Sequence, residues 1–226
     1  MKKTAIIVAG GSGMRFGSAV PKQFLSLQGR PVLMRTLDAF APLVDCLIVV
    51  LPADQQEYWR QLCGQHGFDV PHRVVTGGSS RYQSVQNAIR ALDTVQPGDV
   101  VAIHDGVRPL ASRLLIERAF DVAHRCGSAI PVVALTDSVR MVEPDGTSRP
   151  LLRSQLRAVQ TPQVFDAVTI SQCYAVEESP LFTDDASVYE AAGHRVTLVE
   201  GEPTNLKITH PADLVLAEQI LIHGKS

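Results

Sequence analysis

Metal-site cysteine spacing is missing from this chain. Its four cysteines, Cys46, Cys63, Cys126 and Cys173, are scattered, with no Cys-x-x-Cys pair. That argues against structural zinc and leaves Cys46, beside the apolar run Leu47–Leu51, as a small core residue. A basic stripe or arm is missing too. The 226 residues carry a formal net charge of -2, which argues against a nucleic-acid binder held by phosphate attraction. No apolar run reaches the length of a membrane span. Met1-Lys2-Lys3 leads straight into a short apolar run, without the longer apolar region and small-residue cleavage site of a signal peptide. These absences give the expectation of a cytoplasmic protein with no membrane partner. Repeats, low-complexity tracts and linkers are also lacking, so one α/β domain over residues 1–226 is expected, long enough to bury a sizeable core.

Short apolar runs alternate with amphipathic stretches, which predicts a mainly parallel sheet with helices on both faces. Ala5-Ile6-Ile7-Val8, Leu47–Leu51, Val74-Val75, Val100–Ile103, Ala129–Leu135 and Val196–Val199 read as strands, and Asn205–Thr209 as a further short one. Val32–Phe40 reads as a helix with Pro31 as its first residue. Further helices are expected over Gln55–Cys63, after Ser79-Ser80, over Ser112–Arg125, Asp166–Val176 and Ser187–Ala192, and from Pro211 to about His223.

Unusual chemistry gathers at three strand ends, where open α/β sheets bind ligands. The first is Ala9-Gly10-Gly11-Ser12-Gly13-Met14-Arg15, with Pro21-Lys22-Gln23 behind it. Glycines let backbone approach a ligand and successive N–H groups form an anion-binding hollow. Arg15 adds a fork of donors and Lys22 a mobile point charge, a pairing suited to a polyphosphate. A P-loop is excluded because no Gly-Lys-Ser/Thr closes the loop, and a dinucleotide fingerprint because Gly17 falls one residue late and Pro21 interrupts. An ordinary strand-to-loop turn stays open as the alternative.

The second strand end is Gly77-Gly78-Ser79-Ser80. Ser79 or Ser80 can cap the following helix, and Ser84 in its first turn could point a hydroxyl at the same ligand or simply belong to a capped helix. The third is His104-Asp105-Gly106-Val107-Arg108-Pro109. Asp105 can hold a divalent cation or a sugar hydroxyl, and Arg108 can pair with it or with an anion. His104 reads as a core histidine before a catalytic one.

From Thr136 to Leu156 the apolar content drops around the turn signal Glu143-Pro144-Asp145-Gly146. A protruding hairpin arm is expected there, of the kind that contacts a second subunit. Asp184 and Asp185 open a helix, where capping comes before a metal role.

Taken in order, these motifs resemble the 2-C-methyl-D-erythritol 4-phosphate cytidylyltransferase family. The matching pieces are the loop Ala9–Arg15, Pro21-Lys22-Gln23, Gly77–Val85, His104–Pro109, Arg153, Gln160-Thr161-Pro162-Gln163, Thr183–Ser187 and Asn205–Thr209. The resemblance implies a Rossmann-like nucleotidyltransferase fold, a homodimer made by the arm, and transfer of CMP from CTP to methylerythritol phosphate with Mg²⁺. It implies that Arg15 and Lys22 stabilise the transition state. Ala9, Gly10, Gly11, Gly78, Ser79 and Ser84 match positions around the nucleotide. Asp105, Arg108, Ser138, Arg153 and Thr161 match acceptor positions, with Ser138 and Arg153 reaching in from the partner's arm. Lys207 matches a residue that positions the acceptor phosphate. Two positions depart from the family: Ser138 stands where threonine is frequent, and Ser79 where an acidic residue is.

The attacking group in such a reaction is a phosphate oxygen already ionised at neutral pH, so no general base is needed, and none stands out in these motifs. The obstacle is repulsion between two anions, which clustered cations relieve. Ribitol 5-phosphate is the rival acceptor. An inactive nucleotide-binding dimer and an oxidoreductase are the rivals of other classes.

Overall fold

β-Branched and aliphatic runs buried on both faces build the sheet, as parallel strands between helical layers require. The computed structural model describes residues 1–10 and 20–224. Gly11 and Arg15 lie outside the described residues. In chain order the elements are β1 (Lys3–Val8), a small hairpin β2 (Ser26–Leu27) and β3 (Arg30–Pro31), α1 (Val32–Phe40), β4 (Cys46–Leu51), α2 (Gln56–Gln65), β5 (Arg73–Thr76) and α3 (Arg81–Arg90). There follow β6 (Val100–Asp105), α4 (Arg113–Cys126), β7 (Ser128–Ala134), β8 (Val139–Val142), β9 (Ser148–Leu151), β10 (Arg157–Val159) and β11 (Gln163–Asp166). The chain closes with α5 (Ala167–Cys173), α6 (Asp185–Ala191), β12 (Leu198–Glu200) and α7 (Pro211–His223).

The sheet runs β5-β4-β1-β6-β11-β7-β10, with β12 also on β7. β5, β4, β1 and β6 are parallel, whereas β11 is antiparallel to both β6 and β7. Alternation sorts the core into two layers. Ala5, Ile7, Val49 and Ala102 face Leu33, Leu37 and Phe40 of α1, Trp59 of α2, and Ile116 and Phe120 of α4. Ile6, Ile48, Val50, Val101 and Ile103 face Val85 and Ile89 of α3, Ile170 of α5 and Val188 of α6. Helices therefore cover both faces, as the alternating pattern predicts.

Three expectations need correction. Asn205–Thr209 forms no ladder; it is an extended segment pinned by single bonds, Ile208 N–H to the Val107 carbonyl (2.9 Å) among them. Pro31 caps α1 instead of opening it, since its ψ of 139° is extended. The helix expected to reach Val176 stops at Cys173. The sheet is mainly parallel as expected, with β10 and β11 as two antiparallel additions.

The segment 136–156 is a hairpin arm. β8 and β9 pair only with each other, from Val139 opposite Leu151 to Val142 opposite Ser148. Gly146 turns it with a φ of 84°, a value glycine tolerates without strain. Met141, Val142 and Leu152 on the arm are exposed.

One buried pair fastens α6 to α3. Asp184 caps α6, accepting from the Ser187 N–H at 2.9 Å, so the capping role holds for that carboxylate. Asp185, fully buried, instead accepts both terminal nitrogens of Arg81 (2.8 and 2.6 Å) and the Tyr174 hydroxyl (2.6 Å). Asp185→Ala would leave Arg81 uncompensated, so a guanidinium titration should show a loss of about 3 kcal/mol. A loss below about 1 kcal/mol would put this pair among ordinary surface bridges.

Candidate active site

The parallel register levels the carboxyl ends of the central strands. Val8 of β1 lies opposite Val50 of β4 and Asp105 of β6. Ladder bonds carry this one residue further: Ala9 N–H to the Val50 carbonyl (3.0 Å), Gly77 N–H to Leu51 (2.9 Å) and Gly106 N–H to Val8 (2.8 Å). Three strand ends thus lie together at one edge of the sheet, beside a hollow of about 460 Å³. Ala9, Gly10, Lys22, Gly78, Ser79, Ser84, Asp105 and Lys207 line it. Lys22 sits in a single 3₁₀ turn, Lys22–Phe24, behind Pro21. Its neighbour Gln23 is buried and donates to the Ala9 carbonyl (2.8 Å), which ties that turn to the first strand end.

The wall from Gly78 to Ser84 is held by its own hydroxyls. Ser80 caps α3, accepting from the Gln83 N–H at 3.1 Å. The Ser84 hydroxyl donates to the Ser80 carbonyl (2.8 Å) and accepts from the Gly78 N–H (3.1 Å). Its hydrogen is therefore used within the loop, leaving a lone pair toward the hollow. Gly78 has no room for a side chain, because a Cβ there would lie 2.3 Å from the Gln83 Cβ. Ser79, lacking a carboxylate, directs both its N–H (3.1 Å) and its hydroxyl (2.8 Å) to the Gln83 side-chain oxygen.

A second, smaller hollow of about 150 Å³ adjoins the first and holds Arg108 and Thr161. Arg81, Asp105 and Lys207 line both. Asp105 is the hub. Its carboxylate meets Arg108 Nε at 3.2 Å and Lys207 Nζ at 3.0 Å. Burial alone would raise its pKa, but the positive charges of Lys207, Arg81 and Arg108 outweigh burial and hold the carboxyl well below the ordinary range. Arg108 also donates to the Asn205 carbonyl (2.7 Å), so the segment carrying Lys207 is anchored beside the strand end.

Behind Asp105, His104 is fully buried, as a core histidine should be, with its ring 4.7 Å from that of Phe40. Burial lowers its pKa from 6.5 to about 4, against the contrary pull of its bond to the Arg108 carbonyl.

Ser138 and Arg153 stand apart. Both are exposed on the arm and line neither hollow, and Arg153 donates to the Thr136 carbonyl beside it. Arg81 carries a charge into both hollows and was given no role from sequence. The available signal was a cation in the first turn of a helix, where the dipole disfavours it and a buried anion must answer it.

A glycine loop after the first parallel strand and a cation-lined cleft across the strand ends define a Rossmann-like nucleotidyltransferase. A family model described as 2-C-methyl-D-erythritol 4-phosphate cytidylyltransferase matches residues 3–223. An enzyme of that name from Bacteroides fragilis is 48% identical over 98% of this chain and 100% of its own length. One from Bacteroides thetaiotaomicron is 46% identical with the same coverage. The crystal structure of 4-diphosphocytidyl-2C-methyl-D-erythritol synthase from Anaerococcus prevotii superposes with a TM-score of 0.82, at 29% identity over 98% of this chain and 99% of that one. The Thermus thermophilus cytidylyltransferase gives 0.76 at 33% identity, covering 97% and 98%. The chain belongs to the 2-C-methyl-D-erythritol 4-phosphate cytidylyltransferase family.

The depressed His104 pKa sets a pH dependence. Between 6.5 and about 4 the unfolded histidine takes up a proton that the native one refuses, so stability falls as pH falls through that window. Denaturant titrations across it should show a shallower slope for His104→Asn than for the wild type. An unchanged slope would contradict the assignment.

Proposed function

We propose that the chain transfers CMP from CTP to 2-C-methyl-D-erythritol 4-phosphate, releasing pyrophosphate and 4-diphosphocytidyl-2-C-methyl-D-erythritol, in the cytoplasm as a step of non-mevalonate isoprenoid precursor biosynthesis. The carrying observation is that the two adjoining hollows share Arg81, Asp105 and Lys207. A donor in the larger and an acceptor in the smaller would meet over those charges. The family match favours methylerythritol phosphate over ribitol 5-phosphate. Among the described residues no helix is long and apolar enough to cross a membrane.

In this reading an acceptor phosphate oxygen attacks the α-phosphorus of CTP. One P–O bond forms, the bond to the β-phosphate oxygen breaks, and pyrophosphate leaves with that electron pair. The nucleophile is already ionised, so the side chains supply position and charge instead of taking a proton. Two unit like charges about 4 Å apart repel by roughly 4 kcal/mol at an effective dielectric near 20. Lys22 and Arg15 are assigned to the triphosphate, and Lys207, Arg108 and Arg153 to the acceptor. Ala9, Gly10, Gly11, Gly78, Ser79 and Ser84 would surround the nucleotide, and Asp105, Ser138 and Thr161 the acceptor.

Magnesium belongs with the nucleotide here. Among the described residues no three His, Cys, Asp or Glu side chains gather as ligands, and Asp105 is already occupied by cations. The described donors make no protein cage, so Mg²⁺ would come with the nucleotide and would supply charge neutralisation there, beside Lys22 and Arg15.

Incubation with CTP, Mg²⁺ and each polyol phosphate should release pyrophosphate with methylerythritol phosphate and little with ribitol 5-phosphate. Lys22→Ala or Arg15→Ala should lower turnover by about 10²–10³-fold, the scale of one lost charge-stabilising donor. Near-wild-type turnover in either variant contradicts its role.

We also propose a homodimer in which each arm brings Ser138 and Arg153 to the partner's site. The exposed apolar side chains of the arm support it. Mixing Lys22→Ala with Arg153→Ala protomers under exchange would give hybrids with one complete site, restoring roughly a quarter of wild-type activity. No recovery would mean that Arg153 serves its own chain.

A further inference from the structure

We propose that His104 is a positioning residue that fixes Thr161 as a hydrogen-bond acceptor toward the substrate, so that this point of the smaller hollow reads a hydroxyl of the acceptor polyol and not a phosphate oxygen. This deepens the reaction proposed above and rests on it.

The reasoning follows the hydrogens. The Asp105 N–H donates to the Thr161 hydroxyl oxygen at 3.0 Å. His104 Nδ1 lies 3.1 Å from the same oxygen. The other ring nitrogen, Nε2, lies 3.0 Å from the Arg108 carbonyl oxygen, which can only accept. Nε2 therefore carries the ring hydrogen, and Nδ1 of the neutral imidazole has none. The opposite tautomer would set the Nε2 lone pair against that of the Arg108 carbonyl and leave the buried ring nitrogen without a partner. Thr161 must then give its one hydrogen to Nδ1.

One Thr161 lone pair receives the Asp105 N–H. The other is all that remains for a ligand in the hollow that Thr161 lines. A polyol hydroxyl brings the hydrogen that this lone pair needs. An ionised phosphate oxygen brings none and would be repelled, and it has Arg108 and Lys207 in the same hollow instead. The ring cannot readily change its state, since it is fully buried against Phe40 and burial keeps it neutral near pH 7.

The test compares kcat/KM of the purified full-length enzyme, with CTP and Mg²⁺, for methylerythritol phosphate and its monodeoxy analogues. The wild type should discriminate against one analogue by about tenfold or more. His104→Gln keeps a donor toward the Arg108 carbonyl but removes the acceptor at the Nδ1 position, and its discrimination should fall to about twofold or less. His104→Asn puts an oxygen where Nδ1 stood and should keep it. KM for CTP should not move in either variant. A purely packing role would lower all analogues together, and that result, or full discrimination in His104→Gln, overturns the proposal.

A measurement independent of any variant's folding is the ¹⁵N spectrum of labelled wild-type protein at neutral pH. It should show His104 protonated at Nε2 alone, and protonation at Nδ1 overturns the proposal. Failure of the wild type to release pyrophosphate would sink the reaction itself. An active wild type with the wrong tautomer or unchanged discrimination would sink only the role of His104.

Discussion

A carboxylate held almost out of water at the end of a buried strand constrains everything around it. Asp105 is 8% exposed, and an unpaired charge so placed would cost several kcal/mol. Arg108, one turn along, answers it from the same loop, and Lys207 from far down the chain. Arg108 also grips the Asn205 carbonyl. A segment that forms no ladder is thus held against the sheet edge by charge, by the Asn205 amide donating to the Thr161 carbonyl (2.8 Å) and by the backbone bond from Ile208 to Val107. The anion's need for partners joins these bonds in holding the C-terminal cation at the site.

That arrangement suits a reaction between two anions. Around the junction of the hollows three cations, Arg108, Lys207 and Arg81, meet two buried carboxylates, Asp105 and Asp185. Arg81 is itself fixed from behind by Asp185. These cations are held by buried carboxylates before any substrate arrives, and groups oriented in advance need little reorganisation in the transition state.

The sheet was legible in the sequence because strands buried on both faces read as unbroken apolar runs, as Ala5–Val8 and Leu47–Leu51 do. β10 and β11 were not, because Gln160, Thr161, Pro162 and Gln163 look like a loop until Phe165 and Val164 are seen packed on β6. Asn205–Thr209 misled in the opposite direction, since its alternation of polar and apolar residues reflects Ile208 entering a small cluster with Leu27 and Val107, not a strand register. Within the site, Lys22 and Asp105 stood out as charged residues following strand ends, whereas Lys207 was marked only by the family resemblance. Arg81 did not, because its partner Asp185 lies on another helix and nothing local reports the pair. The linkage of Thr161 to His104 was hidden for the same reason: it joins two segments that only the antiparallel β11–β6 pairing makes neighbours.

Ser138 and Arg153 carry the synthesis one step further. Both fit acceptor positions by resemblance, yet in the single chain both stand exposed on an arm that contributes nothing to either hollow. An arm paired only with itself, carrying exposed Val142 and Leu152, has no stabilising role within its own core. In the proposed homodimer a second copy would supply both missing terms, a surface for those apolar side chains and a site for that guanidinium. The same contact that completes the acceptor's charge shell would then bury the arm, so assembly and catalytic competence would depend on one interface.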